Sequence, residues 1–177
     1  MNTPILIAYA TRYGSTQEVA EVIAATLRQQ GLVADLQPMG SVQTLDGYGA
    51  VVLGAALYMF HWPKDALRFL SRHRAALTER PVAVFALGPV HDPHDEQEWQ
   101  ASRAQLDQEL ARFPWLTPIA VALFGGTFDP AKLRFPMNWL AGKAPASDAR
   151  DWTAIRSWAH DLAAALAPAL QETQAQR

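Results

Sequence analysis

Short apolar runs alternate with amphipathic stretches along nearly the whole chain, and their spacing sorts them into strands and helices. Pro4 to Ala10 (PILIAYA) is an apolar run ending in turn-type residues, the pattern of a strand buried on both faces. From Ser15 to Gln30, Val19, Ile23 and Leu27 recur every four positions, which makes one face of a helix. Gly31 follows where a left-handed cap is usual. Val33 to Leu36 predicts a shorter strand, and Ala50 to Leu57 (AVVLGAAL) a second strongly apolar one. Pro63 suits a first helical position, so a helix is predicted from Lys64 to about Leu77, with Leu67 and Leu70 inward. Val82 to Leu87 reads as a strand. Asp95 to Phe113 reads as a polar-rich helix with Trp99, Leu106 and Leu110 on one side, and Ile119 to Phe124 as the last strand. A closing helix runs from Asp151 to about Ala167 with Ile155, Trp158 and Leu162 inward. Pro168 marks its end, and the polar Gln171 to Arg177 are expected to fray.

Five apolar strands joined mostly by helices predict an α/β fold with a parallel sheet covered on both faces. One segment breaks the rhythm. Residues 125–150 form an insert between the last strand and the last helix, far longer than an ordinary connection. It carries Phe128, Leu133, Phe135, Met137, Trp139 and Leu140, so it is no polar linker. Such a segment packs on the fold, walls the site, or covers a partner in a homodimer.

The length of 177 residues suits a single domain, residues 1–177. Fifteen Lys and Arg against 17 Asp and Glu leave a charge of -2, which provides no field for nucleic acid. The chain has no cysteine, so disulfides, thiolate metal sites and cysteine nucleophiles are excluded, and any redox chemistry needs a bound cofactor. MNTPILIAYA lacks the positive start of a signal peptide, and no apolar stretch approaches the length of a membrane span. A cytoplasmic protein with a small-molecule partner is the expectation.

In an open α/β sheet, ligands bind beyond the carboxyl ends of the strands. Three loops leave those ends: Thr11 to Thr16, Ala55 to Trp62, and Gly88 to Asp95. The first, TRYGST, offers three aliphatic hydroxyls (Thr11, Ser15, Thr16), a glycine and the amides of a helix start. That set suits a phosphate. It is neither a Walker loop, since no Lys follows Gly14, nor a GxGxxG turn. The plainer reading is that Thr and Ser cap the helix. A receiver domain shares this order of elements but needs acids after the first strand and an aspartate after the third, where Ala-Thr-Arg and Gly-Ala-Ala stand. His91 and His94 with Asp92, Asp95 and Glu96 form no recognisable metal set, because Asp95 and Glu96 more simply begin the following helix. No metal is expected. His91 is retained as a candidate proton donor, with no other catalytic residue legible. His73 and His160 are expected at the surface.

Together these residues resemble the flavodoxin-like family. T-x-x-G-x-T after the first strand carries the likeness, and GAALYMFHWPKDALRFL, FDPAKLRFPMNWL and RDWTAIRSWAHDLA resemble the branch that includes menaquinone-dependent protoporphyrinogen dehydrogenase. The resemblance implies a three-layer sandwich with a five-stranded parallel sheet in the order 2-1-3-4-5. It implies non-covalently bound FMN, with Thr11, Arg12, Tyr13, Gly14, Ser15 and Thr16 around the phosphate. Ala55, Ala56, Leu57 and Tyr58 would then line one side of the ring, and Gly88, Pro89, Val90 and His91 the other. Tyr58 and Trp62 are the candidate stacking aromatics, although Trp62, just before a helix start, is better placed for ordinary packing.

Two features favour an enzyme over a carrier: a sequence pI of about 6.2, and a third loop, LGPVHDPHDE, without an aromatic to cover the second flavin face. A porphyrinogen is then the implied substrate, with a quinone or NAD(P)H as competing partners. Lys132, Arg134 and Lys143 give the insert few cations for docking to a membrane. A flavodoxin-type electron carrier and a cofactor-less binding module on the same fold are the alternatives.

Overall fold

A computed structural model describes residues 3–57, 61–89, 92, 94–134, 136–141 and 144–175. The chain runs β1 (Ile5–Ala10), α1 (Ser15–Gln29), β2 (Ala34–Pro38), β3 (Ala50–Ala56), α2 (Lys64–Arg72), α3 (Arg74–Thr78), β4 (Val82–Leu87), α4 (Glu96–Ala111) and β5 (Ala120–Phe124). The insert then contributes β6 (Thr127–Phe128), α5 (Met137–Ala141) and β7 (Ser147–Asp148) before α6 (Trp152–Ala175) closes the fold. The five main strands are parallel in the order β2-β1-β3-β4-β5. This is the flavodoxin-like topology anticipated from the sequence.

Alternation along each strand divides the core in two. Ile5, Ile7 and Tyr9 of β1 point with Phe85 into one layer, against Val19, Ile23 and Leu27 of α1 and Ile155, Leu162 and Leu166 of α6. Leu6, Ala8 and Ala10 point into the other, with Phe69 and Leu70 of α2, Leu77 of α3 and Leu106 of α4. Burial on both faces is why the strands read as unbroken apolar runs. At the centre, the Phe85 ring lies across Gly54, its partner on β3; a Cβ there would come within 2.0 Å of Cζ.

Three expectations are corrected. The predicted helix 64–77 is broken at His73, whose φ of -104° and ψ of 16° end α2 and start α3. His73 itself is buried at 7% exposure, packed against Phe69 at 4.7 Å, rather than lying at the surface. The third concerns Pro168, which does not end the last helix. Its missing N–H removes one helical bond, yet Leu166 before it and Leu170 beyond it are both buried. Leu170 sits against Gly49 and Thr3, which carries the helix on through Ala175.

Burial, with Arg72 and Arg80 adding repulsion, pushes the His73 imidazole below its usual value, although a bond to the Val42 backbone opposes this. The unfolded chain therefore takes up the proton at higher pH than the folded one. The contribution of His73 is intact above the unfolded value of about 6.5 and is lost as pH falls toward the lower folded value. Melting curves across that interval should fall more steeply for the wild type than for His73→Gln. Equal slopes would refute this assignment.

Candidate functional site

The carboxyl ends of β1, β3 and β4 bring Thr11 to Thr16, Ala55 to Leu57, and Gly88 and Pro89 to one edge of the sheet. Tyr58, Val90 and His91 lie outside the described residues. Two adjoining cavities open at this edge. The smaller, about 210 Å³, is lined by Thr11, Arg12, Tyr13, Ser15, Thr16, Ala56 and the segment His61 to Lys64. The larger, about 450 Å³, shares Tyr13, Ser15 and Ala56 with it and adds Leu57, Leu87, Gly88 and the insert.

The first loop is built to leave polar groups open. Gly14 has φ 95°, a left-handed conformation that favours glycine, and a Cβ there would meet nothing within 4 Å. Its amide donates to Thr11 Oγ1 at 2.9 Å, so Thr11 braces the turn. Helix α1 then begins without a side-chain cap. Thr16 is completely buried, and its Oγ1 has no hydrogen-bond partner. A buried hydroxyl left unpaired costs about 1–3 kcal/mol, and uncapped helical amides favour an anion. The residues present therefore fit a phosphate, and simple helix capping does not describe them.

Trp62 has a mixed position. It is buried in the core and stacks on Phe113, with centroids 6.2 Å apart and planes 14° from parallel. Yet it also lines the smaller cavity, and its Nε1 is a second buried polar atom without a partner. Its backbone N donates to Oε1 of Glu109, a carboxylate only 2% exposed on α4. Asp95 is the N-cap of α4, accepting from the amides of Gln97 and Glu98 at 2.9 and 3.1 Å. Asp95 thus stands at the helix start as anticipated, one residue ahead of the helix and as its cap. His94 is exposed, and its backbone N donates to Asp92 Oδ1 at 2.8 Å.

The insert supplies most of the larger cavity's wall: Gly126 to Asp129, Lys132, Leu133, Met137, Leu140 and Ala141. None of these was legible as a site residue, the only signal being the segment's apolar content. Phe128 is an aromatic at this cavity that the third loop does not provide. The insert's ends are pinned. Thr127 and Phe128 pair antiparallel with Asp148 and Ser147, Ala149 N donates to Gly126 O at 3.0 Å, and Gly126 N to Pro89 O at 2.6 Å. Arg150, its side chain 10% exposed, binds both Asp148 oxygens at 2.9 and 2.7 Å and reaches Glu18 in the first turn of α1. It also covers the Trp152 ring at 4.6 Å. The Arg150 hydrogen bonds hold the Asp148 carboxyl below its usual range.

Comparison with known proteins agrees with this fold. The profile of the Flavodoxin domain family matches residues 6–137. The chain is 29% identical over 158 residues to protoporphyrinogen IX dehydrogenase [quinone] of Escherichia coli strain K12, covering 76% of this chain and 87% of that protein. The Leishmania major protein of the same name is 25% identical over 174 residues, covering 90% and 74%. Among solved structures, the C101A mutant of flavodoxin from Pseudomonas aeruginosa superposes with a TM-score of 0.57 at 18% identity, over 92% of this chain and 98% of that one. A flavodoxin from the domain Archaea gives 0.55 at 12% identity over the same shares. Among the described residues, no helix is long and apolar enough to cross a membrane.

Proposed function

The chain belongs to the flavodoxin-domain family, of flavodoxin-type flavin oxidoreductases and electron carriers, and from that premise we propose that residues 1–177 form one FMN-binding oxidoreductase domain. The observation that carries the reading is the buried, unpartnered Thr16 hydroxyl at an uncapped helix start, beside a cavity that adjoins a larger one. Thr11, Arg12, Tyr13, Gly14, Ser15 and Thr16 would hold the phosphate. Ala55, Ala56, Leu57, Gly88 and Pro89 would flank the ring, with Trp62 in the wall of the smaller cavity. Tyr58, Val90 and His91 join them on the resemblance alone, His91 as the candidate proton donor.

FMN supplies the electron and hydride chemistry; the protein binds it, orients it and keeps water away. Leu57, Leu87, Phe128, Leu133 and Leu140 give the larger cavity a mostly apolar lining, suited to a ring system and to an apolar substrate beside it. That enclosure favours an enzyme over a carrier. The names of the relatives above support a porphyrinogen as reductant and a quinone as acceptor; NAD(P)H is the competing donor expected from the sequence. A cytoplasmic location goes with this reading.

The test is the visible absorption and fluorescence of the purified protein with added FMN. Flavin bands with quenched fluorescence are expected, followed by anaerobic bleaching with a porphyrinogen. A colourless protein that leaves added FMN fully fluorescent would overturn the cofactor. Bound FMN that no donor of these classes reduces would leave the carrier reading in place of the enzyme.

A further inference from the structure

A phosphate monoester carries about -1.5 to -2 charges at neutral pH, and hydroxyls and amides answer it with dipoles only. The TRYGST loop has no lysine after its glycine. Formal charge at the smaller cavity comes from Arg12, which is exposed, and from Lys64 on the segment across from the loop, where His61 and Lys64 line the same space as Ser15 and Thr16. We propose that His61, through its ring Nε2, and the Lys64 ammonium beside it are the contacts that select a phosphorylated flavin over an unphosphorylated one. This rests on the reading of the smaller cavity as the phosphate site.

The position of His61 is set from α4. Glu109 is almost completely buried, and a buried carboxylate is costly unless paired. Both its oxygens accept from Arg112 Nη1 at 2.9 Å, Oε1 also accepts from Trp62 N at 3.3 Å, and Oε2 lies 3.5 Å from His61 Nδ1. Arg112 Nη1 is also 3.5 Å from the same nitrogen. Arg112 and Glu109 therefore offset one another. The His61 ring is turned with Nδ1 toward α4, which leaves Nε2 as the nitrogen to meet a ligand. The ring is 67% exposed, so its job is not packing. Glu109 is the positioning residue of the set: it fixes the backbone at Trp62 and the ring of His61 in one grip.

Riboflavin is FMN without the phosphate, so the ratio of the two affinities isolates this contact. Dissociation constants for both are measured by fluorescence quenching in wild type, His61→Gln and Lys64→Gln. The wild type should prefer FMN. His61→Gln should raise the FMN constant about tenfold, about 1.4 kcal/mol, with riboflavin unchanged. Lys64→Gln should act in the same direction and less. A parallel rise for both flavins would show His61 to be structural and overturn the proposal, as would an unchanged ratio. If the wild type binds neither flavin, the cofactor reading falls and this one with it. If the wild type binds FMN and only the ratio refuses to move, this inference alone is lost.

Discussion

Replacing Thr16 with valine is expected to weaken FMN binding by about 10- to 100-fold while leaving the apoprotein at least as stable as before. Valine matches threonine in shape, so α1 keeps its packing. The hydroxyl it removes is buried and unpaired in the protein. Removing it should relieve part of a desolvation cost of about 1–3 kcal/mol, whereas a hydrogen bond from it to a charged phosphate contributes about 1.5–3 kcal/mol when FMN is bound. The two effects have opposite signs, which makes the pair of measurements decisive. FMN titration and a melting curve without FMN are sufficient. An unchanged affinity would remove the phosphate from this loop. An apoprotein melting several degrees lower would mean that Oγ1 has a structural partner. Thr11 offers a contrast: its Oγ1 already accepts from Gly14 N, so Thr11→Val should harm the apo loop as well as binding.

Gly54→Ala is expected to destabilise the fold by about 2–3 kcal/mol, at the upper end of ordinary overpacking. The added methyl would stand 2.0 to 2.7 Å from three atoms of the Phe85 ring. That ring is itself fully buried and wedged against Phe124 and Trp158 at 6.3 Å centroid separations. It has nowhere to retreat without moving α6. For a chain of this size the loss is a fall in melting temperature of about 4–12 °C. The double variant Gly54→Ala with Phe85→Leu should lose less than the sum of the singles, because the smaller side chain yields the space. Additive losses would mean that the strand and the ring are not in conflict.

What could be read ahead of the structure, and what could not, follows from the range of each interaction. A parallel sheet covered on both faces was legible because strands buried on both sides leave unbroken apolar runs, and because Val19, Ile23 and Leu27 share a helix face; the strand order came only with the family resemblance. The convergence of Thr11 to Thr16, Ala55 to Leu57 and Gly88 followed from the rule that such folds open at their carboxyl edge. Contacts between distant segments stayed hidden. Glu109 lies on a polar-rich helix whose pattern gives no sign that one carboxylate turns inward to meet Trp62 and Arg112. His73 read as a surface residue because a helix was drawn straight through the bend at which it is buried. Pro168 read as a stop because the hold of Leu170 on Gly49 is a tertiary matter. In the insert no period exists to decode, so its role as a wall could be posed as one option but not chosen.

The way the insert is fastened has a consequence for how such a protein can be diversified. Its two ends meet at Gly126 and Ala149, close on each other through a short antiparallel pair, and are bolted to α1 by Arg150 through Glu18. Everything between is tethered at a fixed socket, and lengthening a closed loop twofold costs only about 0.6 kcal/mol. The segment that faces the larger cavity is thus an interchangeable cassette. Selection, or an engineer, can swap it to reshape what the cavity admits while the sheet and the TRYGST turn carry on unaltered.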